Sequence, residues 1–293
     1  MRIEGTMTAI VTPFDADGRI DEDALRALID SQIRAGMDAI VPCGTTGETP
    51  TLTTEEYRLV VSTTVEMAGG QIPVIAGSGS NDTRKAVENT RLAKELGADI
   101  ALVVTPWYNK PGPVMLEAHF RRVAAEGGLP VMLYNVPGRT GINMSSETTV
   151  NLSQVENIIA VKEASGNLGQ IQEIIGNTDS ETFTILSGDD ALALPMYSVG
   201  SHGLVSVAGN VVPEEMVNLR ARFVAGDVEG AANLNKRLFP LFQTLFCESN
   251  PVPCKVALNM LGRMGPTVRA PLGPLQSINH ERVRLTLSAM GLL

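Results

Sequence analysis

The segment Asn157-Ile-Ile-Ala-Val-Lys-Glu-Ala-Ser-Gly166 joins a short apolar run to a polar turn. Short apolar runs bounded by turn-forming residues are typical of strands that are buried on both faces of a parallel sheet. Lys162 closes this run, where a charged ammonium costs free energy unless it is paired or its pKa falls. A neutral, desolvated lysine can condense with a ketone to give a Schiff base. A lone lysine in a strand more often reaches solvent or pairs with a carboxylate. The residues around Lys162 must therefore decide whether it is a nucleophile.

Seven other segments have the same apolar character, and together they determine the expected fold. They are residues 7–12, 39–43, 73–77, 100–105, 130–134, 183–187 and 202–207. Successive runs start roughly 20–35 residues apart with helical periodicity between them, which is the spacing of βα units in an eight-stranded barrel. The alternation predicts an α/β fold, a (β/α)8 TIM barrel. A Rossmann-like sheet is the alternative, but its one candidate dinucleotide loop, residues 77–82, lacks the third glycine.

The pattern changes after the eighth run. Four helical segments follow, at residues 213–225, 228–246, 253–261 and 281–290. One of them would close the barrel, and the others would form a small C-terminal helical appendage. We therefore predict a catalytic barrel domain over residues 1–225 and a helical domain over residues 226–293.

Composition and charge exclude several classes of protein. The 293 residues carry a formal net charge of −9 without a basic cluster, which argues against nucleic acid as a partner but not against small anionic substrates. No apolar stretch is long enough to span a bilayer, and the N-terminus lacks the features of a signal peptide, so a cytoplasmic location without a membrane partner is expected. The three cysteines and three histidines show no metal-binding or redox spacing. We expect reduced structural thiols and no metal site.

Residues that could assist Lys162 follow several of the predicted strands, at the end of a barrel where catalytic groups collect. Gly44-Thr-Thr-Gly-Glu48 offers hydroxyls and backbone N–H groups for a carboxylate, although it could also be a plain glycine-rich turn. Thr105-Pro-Trp-Tyr-Asn-Lys-Pro111 and Tyr134-Asn-Val-Pro-Gly-Arg-Thr140 supply phenols and an arginine. Lys255 also has apolar neighbours, but it lies on a presumed appendage helix away from the strand ends. We consider it the weaker nucleophile candidate.

At these motifs the chain resembles the dihydrodipicolinate synthase family, in the class I aldolase superfamily that also contains N-acetylneuraminate lyase. The matching segments are 44–48, 105–111, 134–140, 161–166, 187–190, and 250–253 followed by Lys255. They occur in the family order and cover essentially the whole chain. The resemblance implies a lyase of lysine and diaminopimelate biosynthesis that joins pyruvate to L-aspartate 4-semialdehyde through a covalent imine on Lys162, with no cofactor.

The resemblance also implies the roles of individual residues. Tyr134 would donate and accept protons, with Thr45 connecting it to Tyr108. Thr46 and the Val205 backbone would hold the pyruvate carboxylate. The substrate-binding set is completed by two further residues, Arg139 for the carboxylate of the semialdehyde and Gly188. In the family the equivalent of Tyr108 reaches a neighbouring subunit, which implies a homodimer at least, and a homotetramer as the expected assembly.

The sequence departs from lysine-inhibited members of the family at one place. Lys85 stands where those members carry a glutamate, Thr54 and Tyr57 where they carry histidines, and Trp107 where they carry a tyrosine, while Asn81 is retained. A cation facing a cationic ligand is repulsive. We therefore expect weak or absent inhibition by lysine.

Two other functions are compatible with a barrel of this kind. One is another pyruvate-dependent aldolase acting on a sugar acid or a hydroxy-oxoglutarate, which Arg139 disfavours because sialic-acid-type members need that loop for a polyhydroxyl chain. The other is a non-catalytic barrel that binds a ligand, which has no need of a buried amine. Hydride transfer is disfavoured by the missing dinucleotide loop.

Overall fold

The chain forms a barrel of eight parallel strands in the computed structural model, which describes residues 2–293. The strands are β1 Gly5–Ala9, β2 Ala39–Val41, β3 Ile75–Gly77, β4 Ile100–Val104, β5 Val131–Asn135, β6 Ile158–Glu163, β7 Thr184–Ser187 and β8 Gly203–Ser206. Their order is β2-β1-β8-β7-β6-β5-β4-β3, and a parallel bridge between Ile40 and Val74 joins the two ends. The predicted (β/α)8 barrel is confirmed.

Helices surround the strands and continue beyond the last one. They are α1 Glu22–Arg34, α2 Thr54–Ala68, α3 Thr83–Glu95, α4 Pro113–Glu126, α5 Pro137–Thr140, α6 Ser146–Ser153, α7 Leu168–Asn177, α8 Ala193–Ser198, α9 Pro213–Val224, α10 Val228–Thr244, α11 Val252–Met260 and α12 Ser277–Ala289. Local sequence explains many of their ends. The Thr53 hydroxyl accepts from the Glu56 N–H while the Glu56 carboxylate accepts from the Thr53 N–H, which fixes the start of α2.

Alternation along each strand separates two apolar layers. On β6, Ala160 and Lys162 face the barrel interior, whereas Val161 packs outward against the helices. Successive side chains of a strand point to opposite faces, so Lys162 shares the inner face two residues after Ala160. This alternation directs the lysine into the mouth of the barrel.

The C-terminal helices share the outer apolar layer of the barrel. Side chains of α10 and α11, such as Leu238 and Cys254, belong to the same buried cluster as Val161. Helix α10 packs on α8 and α9, and α12 packs on α10 and α11. The division into domains at residues 225 and 226 stays a prediction. Within residues 2–293, the helices are too short or too polar to cross a membrane.

Candidate active site

Lys162 and Tyr134 are direct partners across neighbouring strands. Strands β5 and β6 pair in a register that places Tyr134 opposite Lys162, and both side chains are about nine-tenths buried or more. The Lys162 Nζ lies 4.3 Å from the centre of the Tyr134 ring. The Lys162 amine thus packs against the face of the Tyr134 ring.

Burial sets the protonation behaviour of this pair. Desolvation lowers the pKa of Lys162 to about 8; the negative charge of Asp190 opposes this shift and the positive charge of Arg139 adds to it. Burial also raises the pKa of the Tyr134 phenol, an effect that Arg139 and hydrogen bonding to Thr45 only partly offset. A lysine with a pKa near 8 is neutral in an appreciable fraction at neutral pH and is then a nucleophile.

The loop after β2 brings hydroxyl groups to the same mouth. The buried Thr46 hydroxyl accepts a hydrogen bond of 2.9 Å from the Asn250 side-chain amide, so its own proton stays available to a ligand. Thr45 is half-buried and lines a cavity together with Tyr134 and Arg139. Within this loop, the two threonines therefore offer one donor towards a ligand and one hydroxyl next to the phenol.

Arg139 lies on the short helix α5 directly after β5. Its side chain is exposed, and its Nη2 donates a hydrogen bond of 3.3 Å to the Asn250 carbonyl. The guanidinium is therefore oriented at the mouth while its remaining donors stay free. An anionic group entering the cavity would meet this cation.

Gly188 follows β7 and packs directly against the stem of Lys162. A Cβ added at Gly188 would lie 3.0 Å from the Lys162 Cε and 2.9 Å from the Ala164 Cβ. Val205 lies on β8 inside the barrel, in register with Met7. The absent side chain at position 188 is what leaves room for the lysine.

Tyr108 is not brought to Lys162 within one chain. It follows β4 with a φ of 70°, and 88% of its surface is exposed. Six of the other predicted site residues are linked at one mouth of the barrel by shared contacts or by the cavity, and Val205 lies in the inner layer of the barrel. An exposed phenol on a strained loop is available to a second copy of the chain, where the resemblance would use it.

Three polar residues near the site were not assigned a role from sequence. Asn250 holds both Thr46 and Arg139, and its own Oδ1 is buried without a partner. Buried Asp190 accepts from the Ser206 hydroxyl at 2.5 Å and from two backbone N–H groups after β8, and burial raises its pKa to about 6. Glu48 is the third. The sequence could have marked Asn250, because residues 250–253 are one of the segments that match the family.

Lys255 does not lie where the sequence interpretation put it. Its ammonium is fully buried against the loop after β2, where it donates to Glu48 at 2.5 Å and to the Thr267 carbonyl at 2.9 Å. The expectation that it lies away from the strand ends was wrong. We still expect Lys255 to be the weaker nucleophile, because its amine is fully buried and bonded to Glu48.

A cavity of about 810 Å³ opens beside the site. Besides Thr45, Tyr134 and Arg139, it is lined by the residues at which the sequence departs from lysine-inhibited relatives: Thr54, Tyr57, Lys85 and Trp107. Among residues 2–293, no three metal-binding side chains lie together. The donor set of the mouth, an amine with hydroxyls and a guanidinium, suits an anionic keto compound.

Comparisons with known proteins agree on one family. A family model described as the Dihydrodipicolinate synthetase family matches residues 2–290. The 4-hydroxy-tetrahydrodipicolinate synthase of Maridesulfovibrio salexigens is 47% identical over 294 residues, with 100% of both chains covered. The chloride-inhibited dihydrodipicolinate synthase from Acinetobacter baumannii complexed with pyruvate has a TM-score of 0.97 and 40% identity, covering 99% of this chain and 100% of that one. The synthase from Cyanidioschyzon merolae with lysine bound has a TM-score of 0.95 and 42% identity, covering 99% of both chains.

Proposed function

Since the chain belongs to the dihydrodipicolinate synthetase family, we propose that it condenses pyruvate with L-aspartate 4-semialdehyde to give 4-hydroxy-tetrahydrodipicolinate. It is a lyase of the class I aldolase type and serves lysine and diaminopimelate biosynthesis. Chemistry in this family proceeds through a covalent imine on a lysine and uses no cofactor. The observation that carries the assignment to particular atoms is the buried Lys162 amine against the Tyr134 ring.

The reaction begins when the neutral Lys162 amine attacks the keto carbon of pyruvate. Loss of water gives an imine, and protonation of its nitrogen makes the adjacent methyl group acidic. Removal of a methyl proton gives an enamine, whose carbon attacks the aldehyde of the semialdehyde. The amino group of that substrate then attacks the imine carbon, which closes the ring and releases Lys162.

Each of these steps moves a proton, so the site needs a group that both donates and accepts one. Tyr134 fills this role, because its phenol is beside the amine and its raised pKa keeps it protonated between steps. Thr45 passes the proton between Tyr134 and Tyr108. Support for this relay comes from the shared cavity of Thr45 and Tyr134.

Two carboxylates are recognised at different parts of the mouth. The free proton of Thr46 and the backbone at Val205 hold the carboxylate of pyruvate. Arg139 binds the carboxylate of the semialdehyde with its free guanidinium donors. Gly188 leaves the space in which Lys162 and its bound pyruvate turn.

The active unit is a homodimer at least, and we propose a homotetramer. The exposed Tyr108 supports an intermolecular site, since one chain alone does not bring this phenol near Lys162. We also propose a cytoplasmic location. Its support is that Cys43, Cys247 and Cys254 are all unpaired, as is usual in a reducing compartment.

We further propose that lysine inhibits this enzyme weakly or not at all. Lys85 lines the cavity together with Thr54, Tyr57 and Trp107, and its ion-pair partner Glu88, 3.8 Å away, lines it too. A second ammonium entering there meets like charge.

Borohydride reduction in the presence of pyruvate tests the proposed function. We expect a pyruvate-sized mass increase that maps to the peptide of Lys162 and not to that of Lys255. The Lys162→Ala variant should show no adduct and no turnover. Lys255 is a matched internal control, because burial also lowers its pKa to about 8. A folded wild-type protein without an adduct, or an active Lys162→Ala variant, would refute the imine mechanism.

A further inference from the structure

We propose that the buried ion pair of Glu48 and Lys255 is a positioning device for pyruvate binding. It fixes the loop of residues 43–48 in the conformation that presents Thr46 to the substrate. This inference rests on the proposed function and adds two positioning residues that the mechanism above does not use.

The pair is fully enclosed. The Lys255 side chain is completely buried and 2% of the Glu48 side chain is exposed. The Lys255 Nζ lies 2.5 Å from the Glu48 Oε1. The ammonium also lies 4.1 Å from the centre of the Phe14 ring. The second carboxylate oxygen of Glu48 accepts from the Arg269 backbone N–H at 3.0 Å. Both oxygens of Glu48 are thus occupied by groups from the C-terminal part of the chain.

The loop that the pair holds is conformationally strained at both ends. Cys43 has a φ of 54° and Glu48 a φ of 55°, a region that residues other than glycine rarely adopt. Such conformations persist where surrounding contacts impose them, and they cluster at functional sites. Thr45 and Thr46 lie between the two strained positions. Contacts at the ends of the loop therefore control the positions of these hydroxyls.

One segment of the chain holds the loop at two points. Helix α11 carries Lys255, and Asn250, two residues before the start of this helix, donates to the Thr46 hydroxyl. The first contact anchors Glu48 and the second orients the hydroxyl two residues earlier. If the ion pair is lost, the backbone of the loop can relax towards an unstrained φ and carry Thr46 away from its partner.

Stability alone does not explain an ion pair in this position. Enclosed charges lose their hydration, and replacing both partners by uncharged groups is often neutral for stability, whereas removing one partner leaves an uncompensated charge. A directional ion pair does, however, fix the conformation of the loop to which it is bonded. Replacing both charges should therefore separate the contribution of the pair to stability from its positioning of the loop. Stability should recover relative to the single variants, whereas the position of the loop should not.

The test compares Glu48→Gln, Lys255→Met and the double variant by borohydride trapping at increasing pyruvate concentration. We expect all three to require roughly tenfold more pyruvate for half-maximal trapping on Lys162. The single variants should lose thermal stability and the double variant should recover most of it. If a single variant does not fold, the double variant carries the test.

Ile174→Ala is the matched control for lost stability. Ile174 is buried near the C-terminal end of α7, at the end of the barrel opposite the mouth. This variant should have a lower Tm with unchanged half-saturation by pyruvate. Wild-type half-saturation in the double variant would overturn the inference and leave the proposed function intact. Absence of trapping in the wild-type protein would instead overturn the proposed function.

Discussion

Two buried lysines show how the contacts of a residue decide its chemistry. Desolvation lowers the pKa of both Lys162 and Lys255 to about 8. Lys255 is held by Glu48 at 2.5 Å, whereas Lys162 faces a phenol ring. The two amines therefore differ in access rather than in pKa: the Lys255 amine is fully buried and bonded to a carboxylate, whereas the Lys162 amine lies beside the Tyr134 ring at the mouth of the barrel, where a ketone can reach it.

The reaction of Lys162 with pyruvate should depend on pH. Because the reactive form of Lys162 is the neutral amine and its pKa is about 8, kcat/KM for pyruvate should rise about tenfold per pH unit below 8 and level off above it. The positive charge of Arg139 contributes to lowering that pKa, so Arg139→Ala should move the rising limb to higher pH. Steady-state kinetics from pH 6 to 9 would measure both profiles. A flat profile below pH 8 would contradict the assignment of this amine.

Arg139→Ala should also separate the two substrates. Loss of the guanidinium removes the proposed partner of the semialdehyde carboxylate, and a hydrogen bond to a charged group contributes about 1.5–3 kcal/mol. The KM for the semialdehyde should therefore rise by about tenfold or more. At pH 9, where most of Lys162 is neutral, the KM for pyruvate should change little. An equal rise in both KM values would mean that the arginine has no preference for the second substrate.

Gly188→Ala should impair the formation of the imine. An added Cβ would lie 3.0 Å from the Lys162 Cε, closer than ordinary contact, so the lysine must move. We expect kcat to fall about tenfold or more, because a small misplacement of a reacting group is costly for the rate. Tm should fall as well, because the added Cβ would also lie 2.9 Å from the Ala164 Cβ. Gly138→Ala is the control, since a Cβ there meets no neighbouring atom within 4 Å. Equal activity of the two variants would refute this steric role.

At the scale of the elements, the loops after the strands carry the chemistry while the strands fix its geometry. Strands β5 and β6 set the Tyr134–Lys162 register, and the loop after β2 adds Thr45 and Thr46. Helix α3 contributes Lys85 to the same cavity that reaches Tyr134. The part of the cavity lined by Lys85 is therefore continuous with the part lined by Tyr134.

Lysine should therefore not inhibit the wild-type enzyme at sub-millimolar concentration. Lys85→Glu should introduce sensitivity to lysine, because the reversed charge attracts the ammonium groups of the ligand. The control is Lys94→Glu, which makes the same change on α3 at a side chain that packs near Gly128 and does not line the cavity. Initial rates in a lysine titration measure the effect. Strong inhibition of the wild-type enzyme would refute the prediction.

At the scale of the whole molecule, the proposed site needs Tyr108 from a second chain. Tyr108 is 88% exposed, and Val114 and Met115 beside it are also largely exposed. The net charge of −9 opposes anionic substrates over the surface as a whole, and Arg139 provides the local attraction at the mouth. Assembly of subunits would complete the proton relay.

Mixed oligomers test this shared site. Tyr108→Phe and Lys162→Ala should each have little or no activity alone. In a mixed dimer, one site would combine Lys162 of one chain with Tyr108 of the other, so random mixing should restore about a quarter of wild-type activity. The assay follows turnover after the two variants are dissociated and reassembled together. Activity no greater than that of the separate variants would mean that Tyr108 does not serve a neighbouring site.

The amino-acid sequence was enough to predict the barrel and to place Lys162 at the end of a buried strand. Strand length, helix capping at Thr53 and alternation along β6 are local properties, encoded by residues a few positions apart. The resemblance then pointed to Tyr134 and Arg139. These expectations did not require knowledge of which distant segments touch.

Only the tertiary structure decided what surrounds Lys255 and Thr46. Glu48 and Lys255 are 207 residues apart, and Asn250 is 204 residues from Thr46. No local pattern specifies such pairs, because they arise when the C-terminal helices pack over the mouth of the barrel. Local patterns establish which face a side chain occupies; the packing of distant segments establishes its partner, and the partner determines whether a buried amine is a nucleophile or an anchor.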